Sequence, residues 1–569
     1  NIGVVVNSAL SANRGVVIRG ASYGVGNTMG IRTWANITSS QGNIDLTGFT
    51  QSGRAVSNIN PGVAWQVATI SAPLGSINAT GTVAGTDGYG VDFYANAALS
   101  AKSISVLGTG SLASGVAARL GSMTILAGGT DLLVVGNNSN QAGTGISISQ
   151  GSIANNAVGG SITFRSNNNI DQTTAIGLVG NTSGHAAALT YDVTTGTNAS
   201  SIVGGNLTIT GASTSPINYN LLASGAHLDG GALTIPGTIT LDNTYGGTAG
   251  AGGTPASGFI GSANISRAVA TEGITINNAM TAANGIVIKG VSSGSNAINT
   301  SSTLTATTGD VTISGTSGTS TGYTGGGALV ASAGNVVLTG VSTSGSAVNF
   351  SGTVTASAGN VAITGISAST GNIWGTLASG LITAKNITVT GTNNTTDTST
   401  AGGAVYLGAL TIVAGGGNLL VTGNNSNQLS NGVYQTGAIT DNASGGSILF
   451  RSNNNISQNG AIALAKNTSG ADSSVTYDLA RGNRTSTLVA GNLTVAAGST
   501  SGIDYNVYTS GSNLNPGTIS VPGVITLDNT WGGTAGVGGA PTSGYITAAN
   551  RATLATTATS ADSATSATL

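Results

Sequence analysis

The chain has 569 residues, 92 of them Gly and none Cys, and its 15 Lys and Arg against 17 Asp and Glu leave a formal charge of -2. Basic residues this sparse form no phosphate-neutralising stripe, which excludes duplex nucleic acid as a partner, and a 39% hydrophobic content with so little charge is the opposite of a disordered composition. No disulfide, thiolate metal site or cysteine nucleophile can form, and no apolar run approaches the length of a membrane-spanning helix.

In chain order, Asn1 runs straight into the strand-like Val4, Val5 and Val6 with no Met before them, the opening expected of a mature or excised piece from which any export signal has gone. The stretch VVVNSALSANRGVVIRG from Val4 is followed by GNIDLTG from Gly42, GSINATG from Gly75 and KSISVLG from Lys102. Longer blocks begin at Ile125 (ILAGGTDLLVVGNNSNQ), Gly159 (GGSITFRSNNNI) and Pro236 (PGTITLDNTYGGTAGAGG). Four of these then recur: ITINNAMTAANGIVIKG from Ile274 matches the first stretch, and IVAGGGNLLVTGNNSNQ from Ile412, GGSILFRSNNNI from Gly445 and PGVITLDNTWGGTAGVGG from Pro522 match the three blocks. The first match lies at an offset of 270 residues and the others at 287 or 286, so the second copy carries about 17 extra residues, an insertion that a surface loop absorbs cheaply. The chain is thus copy one at 1–271, copy two at 272–551, and an Ala/Ser/Thr tail at 552–569 that is either low-complexity or the start of a further unit.

A finer period lies inside copy two, in GDVTISG from Gly309, GNVVLTG from Gly334, GNVAITG from Gly359, KNITVTG from Lys385 and GNLLVTG from Gly417, spaced 25, 25, 26 and 32 residues apart. Apolar and polar residues alternate, as in Val311 and Ile313 or Val336 and Leu338, the period of a strand with one buried face. A second short alternating run separates successive motifs, with Gly, Ser, Thr and Asn at the corners. A unit this small cannot bury its apolar face alone, but stacked on its neighbour it closes a continuous core. The expected fold is all-β: a right-handed parallel β-helix, or β-solenoid, with coils of about 25 residues, the hand following the general preference of parallel crossovers. Low charge fits, because equivalent residues of successive coils lie over one another and a column of like charges repels. The segments NNSN from Asn137 and Asn424, and SNNN from Ser166 and Ser452, are expected to form polar corner ladders. The rival outer-membrane barrel needs two aromatic girdles, for which 4% aromatic residues are too few.

These residues resemble a known family. The G-N-[VI]-x-[VIL]-T-G strands, the SGTVTASAGN connector and the ITLDNTYGG segment are similar to the filamentous-haemagglutinin-like secreted β-helix adhesins of Gram-negative bacteria, which include two-partner-secretion exoproteins and related very large repeat adhesins. The resemblance covers nearly all of the chain. It implies a β-helical shaft exported through an outer-membrane pore and displayed at the bacterial cell surface. Its partners would be a host or neighbouring-cell surface, met through glycan or protein, or like chains in a filament. This chain shows neither the family's amino-terminal secretion domain nor a carboxy-terminal toxin or barrel.

Groups that titrate or coordinate are few: one Glu, Glu272, and two His, His185 and His227. The pattern G-x-S-x-G occurs at Gly20 to Gly24 and Gly290 to Gly294, where a nucleophile elbow would expose Ser22 and Ser292. The histidines are matched by Ala471 and Asn513 in copy two and no helical pattern follows either serine, so both read as solenoid corners. Asp87 and Asp92 form the closest acidic pair, the arrangement a polysaccharide hydrolase or lyase would need. Asp131 is matched by Asn418 and Asp504 by Asn218, so charge is dispensable there, whereas Asp192 with Asp478 and Asp242 with Asp528 recur and are expected at turns. With no phosphate loop, calcium nonapeptide or zinc motif, no cofactor or metal is expected.

Surface aromatics remain as the handle for recognition. Trp34, Trp65, Tyr89, Tyr94, Tyr245 and Trp531 are the candidate contact residues, the last two at matching positions. The expected function is non-enzymatic: an extracellular structural and adhesive fibre segment acting by reach, stiffness and multivalent contact. The alternatives are a carbohydrate-active β-helix enzyme at Asp87 and Asp92, and ice binding by threonines stacked at Thr303 and Thr305, Thr353 and Thr355, and Thr388 and Thr390.

Overall fold

Strict alternation puts Val336 and Leu338 of GNVVLTG on one side of their strand, and the fold is made by laying that side over its equivalent in the next coil. The computed structural model describes residues 2–26, 28–58, 68–85, 88–111, 115–140, 143–194, 201–202, 207–224, 228–229, 232–244, 273–368, 373–394, 402–427, 430–480, 487–488, 493–510, 518–528 and 566–568. Among these there is no helix, and the strands pair in parallel with their equivalents one coil further along, a β-solenoid. The chain divides into two compact units, Asn1–Lys289 and Gly290–Leu569.

In the first unit one wall of the core is a column running from Val16 through Ile44, Ile77, Ile104 and Leu132 to Ile162. A second wall stacks Ile31, Val56, Val91, Ala118 and Ile146, and a third stacks Leu10, Ile37, Ile70, Leu99 and Met123. Beyond the first coil these side chains are excluded from water, which is the main stabilising term. In the second unit the register steps 25 residues from Val311 to Val336 and again to Val361, then 26 to Ile387 and 32 to Leu419, so the motif spacing is the register. Coil length is not uniform, since Tyr505 meets Ile525 after only 20 residues; corners absorb the difference while the strands hold their pairing.

The motif's polar letters have separate causes. Its final glycine faces inward where two walls converge: a Cβ on Gly340 would collide with the carbonyl oxygen of Ala347, and one on Gly391 with that of Ala404. Its asparagine works on the outside. Asp310 Oδ1 accepts the backbone N–H of Asn335 at 2.7 Å, Asn335 Oδ1 that of Asn360 at 2.9 Å, and Asn386 Oδ1 that of Asn418 at 2.8 Å. Asp131 makes the same bond to Ser161 as Asn418 makes to Ser447, and Asn218 to Thr238 as Asp504 to Val524. Only an acceptor oxygen is used, so Asp and Asn interchange between copies.

The corner ladders expected at NNSN and SNNN are present. The N–H of Asn138 donates to Asn167 Oδ1 and that of Asn425 to Asn453 Oδ1, each at 2.8 Å, while Asn168 and Asn454 donate Nδ2 to the carbonyls of Asn140 and Asn427, each at 2.6 Å. Asn138, Asn168, Asn425 and Asn454 are fully buried, so these bonds replace water that has been expelled.

Asp441 stands where copy one has Asn155, whose Nδ2 donates to the carbonyls of Thr130 and Ser161, each at 3.3 Å. A carboxylate cannot donate; it accepts the N–H of Ala443 at 2.9 Å, and burial pushes its pKa up to about 6. A buried acid raised in this way destabilises the fold once charged, so the penalty is absent below about pH 4, grows as pH rises, and is complete above about pH 6. Asp441→Asn is therefore expected to raise unfolding stability by about 2 kcal/mol at neutral pH and to change nothing at pH 3, as read from urea unfolding at both pH values. Gly340→Ala is expected to lower stability by about 1–3 kcal/mol or more through overpacking, measured in the same way.

Candidate functional site

Of the candidate contact residues, Trp34 and Tyr89 stand half-buried on the second wall of the first unit. Trp65, Tyr245 and Trp531 lie outside the described residues, as do Asp87, His227, Glu272 and the side chain of Tyr94. The strand Gly88–Gly110 turns Val91 and Phe93 inward, both 0% exposed, and alternation leaves Asp92 on the opposite side. Asp92 is in register with Ser57 of the preceding coil and Arg119 of the following one.

That register assembles a charged cluster. Arg119 donates Nε to Asp92 Oδ1 at 2.7 Å and Nη2 to Oδ2 at 2.8 Å, and Arg54, opposite Tyr89, donates Nε to Oδ2 at 2.7 Å. The two guanidiniums lie over the Tyr89 ring, 4.5 Å (Arg119) and 5.3 Å (Arg54) from its centre, and they seal Asp92 completely from water. One coil before Arg54, the Arg32 guanidinium sits 3.7 Å over the ring of Trp34. Arg32 Nε and Trp34 Nε1 are buried without a hydrogen-bond partner, and burial lowers the Arg32 pKa. A guanidinium therefore occupies a face of each ring, and the outward chemistry of this strip is cationic as much as aromatic. With both oxygens held by arginine, Asp92 is an ion-pair anchor, a setting unsuited to a general acid or base.

Three other readings of acidic and hydroxyl residues are decided by placement. Asp192 and Asp478, expected at turns, stand inside strands: Arg165 Nε meets Asp192 Oδ2 at 2.8 Å and Arg451 Nε meets Asp478 Oδ2 at 3.0 Å, each pair in register between adjacent coils. Their recurrence is the recurrence of an ion pair, signalled in the sequence by the arginine of FRSNNN. Asp242 does serve a turn, its Oδ1 accepting the N–H and O–H of Thr244 at 2.8 and 2.6 Å. Ser292 is buried and its Oγ accepts the N–H of Ser295 at 2.9 Å, a corner role.

In the second unit the corresponding outward column is aromatic. Leu377, Tyr406 and Tyr434 stack in register, Trp374 meets Tyr406 edge-on at 5.4 Å and 75°, and the two tyrosine rings are 5.5 Å apart. Gly403 makes room, since a Cβ there would come within 2.6 Å of the Trp374 ring. These residues escape sequence reasoning because they are separated by 32 and 28 positions and meet only through coil length. The threonine runs do not share a face: Thr305 and Thr355 flank Val330 on one wall, whereas Thr390 belongs to a column of Thr339, Thr364 and Thr422 on another.

Among the described residues no three His, Cys, Asp or Glu converge as metal ligands, and no helix is long and apolar enough to cross a membrane. No family model, curated protein or solved structure matches the chain.

Removing the carboxylate charge at Asp92 strands two partly buried guanidiniums, so Asp92→Asn is expected to cost about 3 kcal/mol in urea unfolding. Asp192→Asn, whose single partner Arg165 is more exposed, is expected to cost about 1 kcal/mol or less.

Proposed function

We propose that the chain is an extracellular structural and adhesive fibre segment of a bacterial surface protein, acting by reach, stiffness and repeated weak contact. The observation that carries this reading is parallel in-register stacking, which repeats each outward residue type as a column, as at Thr339, Thr364, Thr390 and Thr422. Continuous backbone pairing makes each unit stiff. Equal weak contacts repeated along a stiff support add through effective concentration, whereas a catalyst needs one preorganised pocket. The resemblance to filamentous-haemagglutinin-like adhesins supports display at a Gram-negative cell surface. Within this reading the arginine strip around Tyr89 and the aromatic column at Tyr406 are the places where glycan or protein specificity resides.

Beads coated with the whole chain are expected to be retained on host cells, on neighbouring bacteria or on immobilised glycans, with retention rising more steeply than coating density. Antibody against the chain is expected to label intact source bacteria. Retention equal to that of bare beads at every density on all three supports would overturn the proposal.

A further inference from the structure

Several buried corners of this solenoid share one device. An asparagine accepts the backbone N–H two residues ahead with its Oδ1, and its Nδ2 donates across the corner. Asn138 accepts from Asn140 at 3.0 Å and donates to the carbonyls of Gly115 and Thr144 at 3.4 and 3.3 Å. Asn181 accepts from Ser183 at 3.1 Å and donates to the carbonyls of His185 and Pro216 at 2.6 and 2.9 Å. Its repeat equivalent Asn467 accepts from Ser469 and donates to the carbonyls of Ala471 and Gly502. Asn155 accepts from Ala157 at 3.0 Å and donates to the carbonyls of Thr130 and Ser161. A side chain in this position acts as acceptor through one atom and as donor through the other.

Asp441 breaks this pattern. It lies between Ile412 and Leu464 as Asn155 lies between Ile125 and Leu178, and its Oδ1 keeps the acceptor role toward Ala443. Its Oδ2 stands where copy one has the amide nitrogen. A Cβ on Gly446 would lie 2.8 Å from Asp441 Oδ2 and 2.1 Å from the Gly417 carbonyl oxygen, and a Cβ on Gly160 would lie 2.8 Å from Asn155 Nδ2 and 2.0 Å from the Thr130 carbonyl oxygen. An ionised Oδ2 therefore stands beside carbonyl oxygens as one more acceptor, on a residue only 2% exposed, where water cannot supply the missing donor. The charged residues on the segments packed around it are Lys385, half-buried, and Lys466 and Asp472, both exposed. Burial, rather than a neighbouring charge, raises its pKa to about 6.

We propose that Asp441 is a pH-sensitive latch: with a proton on Oδ2 it donates to the carbonyl of Gly417 or Ser447 and closes the corner as Asn155 does, and without that proton the corner opens locally. Ser447 is the counterpart of Ser161, its carbonyl accepting the N–H of Leu419 as that of Ser161 accepts the N–H of Leu132, each at 2.9 Å. The latch thus ties the turn at 413–417 to the turn at 442–447. In the open corner the carboxyl ionises near its ordinary value of about 4, and in the closed corner at about 6. Opening therefore becomes easier as pH rises through that window and gains little above it. The first unit carries an uncharged amide at this place and has no such response. Opening of this corner and attachment to cells are separate properties, so either can fail without the other.

The test is hydrogen–deuterium exchange of the intact chain at pH 5 and pH 7.5, read by mass spectrometry and corrected for the intrinsic pH dependence of amide exchange. Segments 410–420 and 439–449 report the latch, and 123–133 and 153–163 are their counterparts in copy one. Corrected exchange of the second-unit segments is expected to rise about tenfold between the two pH values, the factor that a carboxyl moved from about 4 to about 6 allows over that interval, while the first-unit segments stay level. Asp441→Asn is expected to abolish the rise, and Asn155→Asp to create it in the first unit, both variants being folded at pH 5 by circular dichroism. The latch is refuted by an equal pH response of the two corners in the wild-type chain or by a rise that persists in Asp441→Asn. It is equally refuted by an Asn155→Asp variant that is unfolded at pH 5 or whose first-unit corner stays level.

Discussion

Parallel stacking in register is the constraint on which everything else in this protein depends. Each residue sits about 4.8 Å from its counterpart in the coils on either side, so a side chain is acceptable only if it tolerates near-copies of itself. Apolar residues do so by packing, and asparagine does so because its Oδ1 can accept the next coil's N–H while its Nδ2 remains available, as Asn335, Asn360 and Asn386 illustrate. Charge survives where signs alternate: Asp92 lies against Arg119, Arg165 against Asp192, and Arg451 against Asp478. The near absence of charged residues from the chain is the compositional trace of this rule.

The same constraint separates architecture from recognition. Inward positions recur between the two copies with little change, because each must fill the same cross-section. Outward positions are released from that demand and diverge. On the second wall the position of Arg119 in the first copy is Tyr406 in the second, by the matched segments AARL from Ala117 and AVYL from Ala404. One wall therefore presents a guanidinium strip in one unit and a ring column in the other, without any alteration of the core behind it.

A stack of this kind has no natural end. Every strand offers a complete row of donors and acceptors on both sides, and a terminal coil offers one row and a slice of core to water. Closed barrels remove such edges, and a solenoid cannot. The coil holding Thr238–Asp242 shows the rule satisfied on both sides, pairing with Tyr219–Leu222 before it and with Gly285–Lys289 after it.

Alternation within GNVVLTG, its 25-residue recurrence and the twofold large repeat were enough, read from the sequence, to establish parallel stacked coils, because strand periodicity and repeat spacing are local properties that survive without knowledge of the corners. The glycine and asparagine of the motif were visible as pattern, but their causes were not: Gly340 answers to Ala347 across the core, and Asn335 to a backbone N–H one coil away. The ion-paired Asp192 and Asp478 looked like turn formers for the same reason, since their arginines lie 27 positions off in sequence. What the tertiary structure alone decided is which outward side chains meet. Trp374, Tyr406 and Tyr434 converge, and the threonine runs do not, because lateral neighbours on a solenoid are set by the length of each intervening coil, and corners of unequal length carry no periodic signal from which that length could be computed.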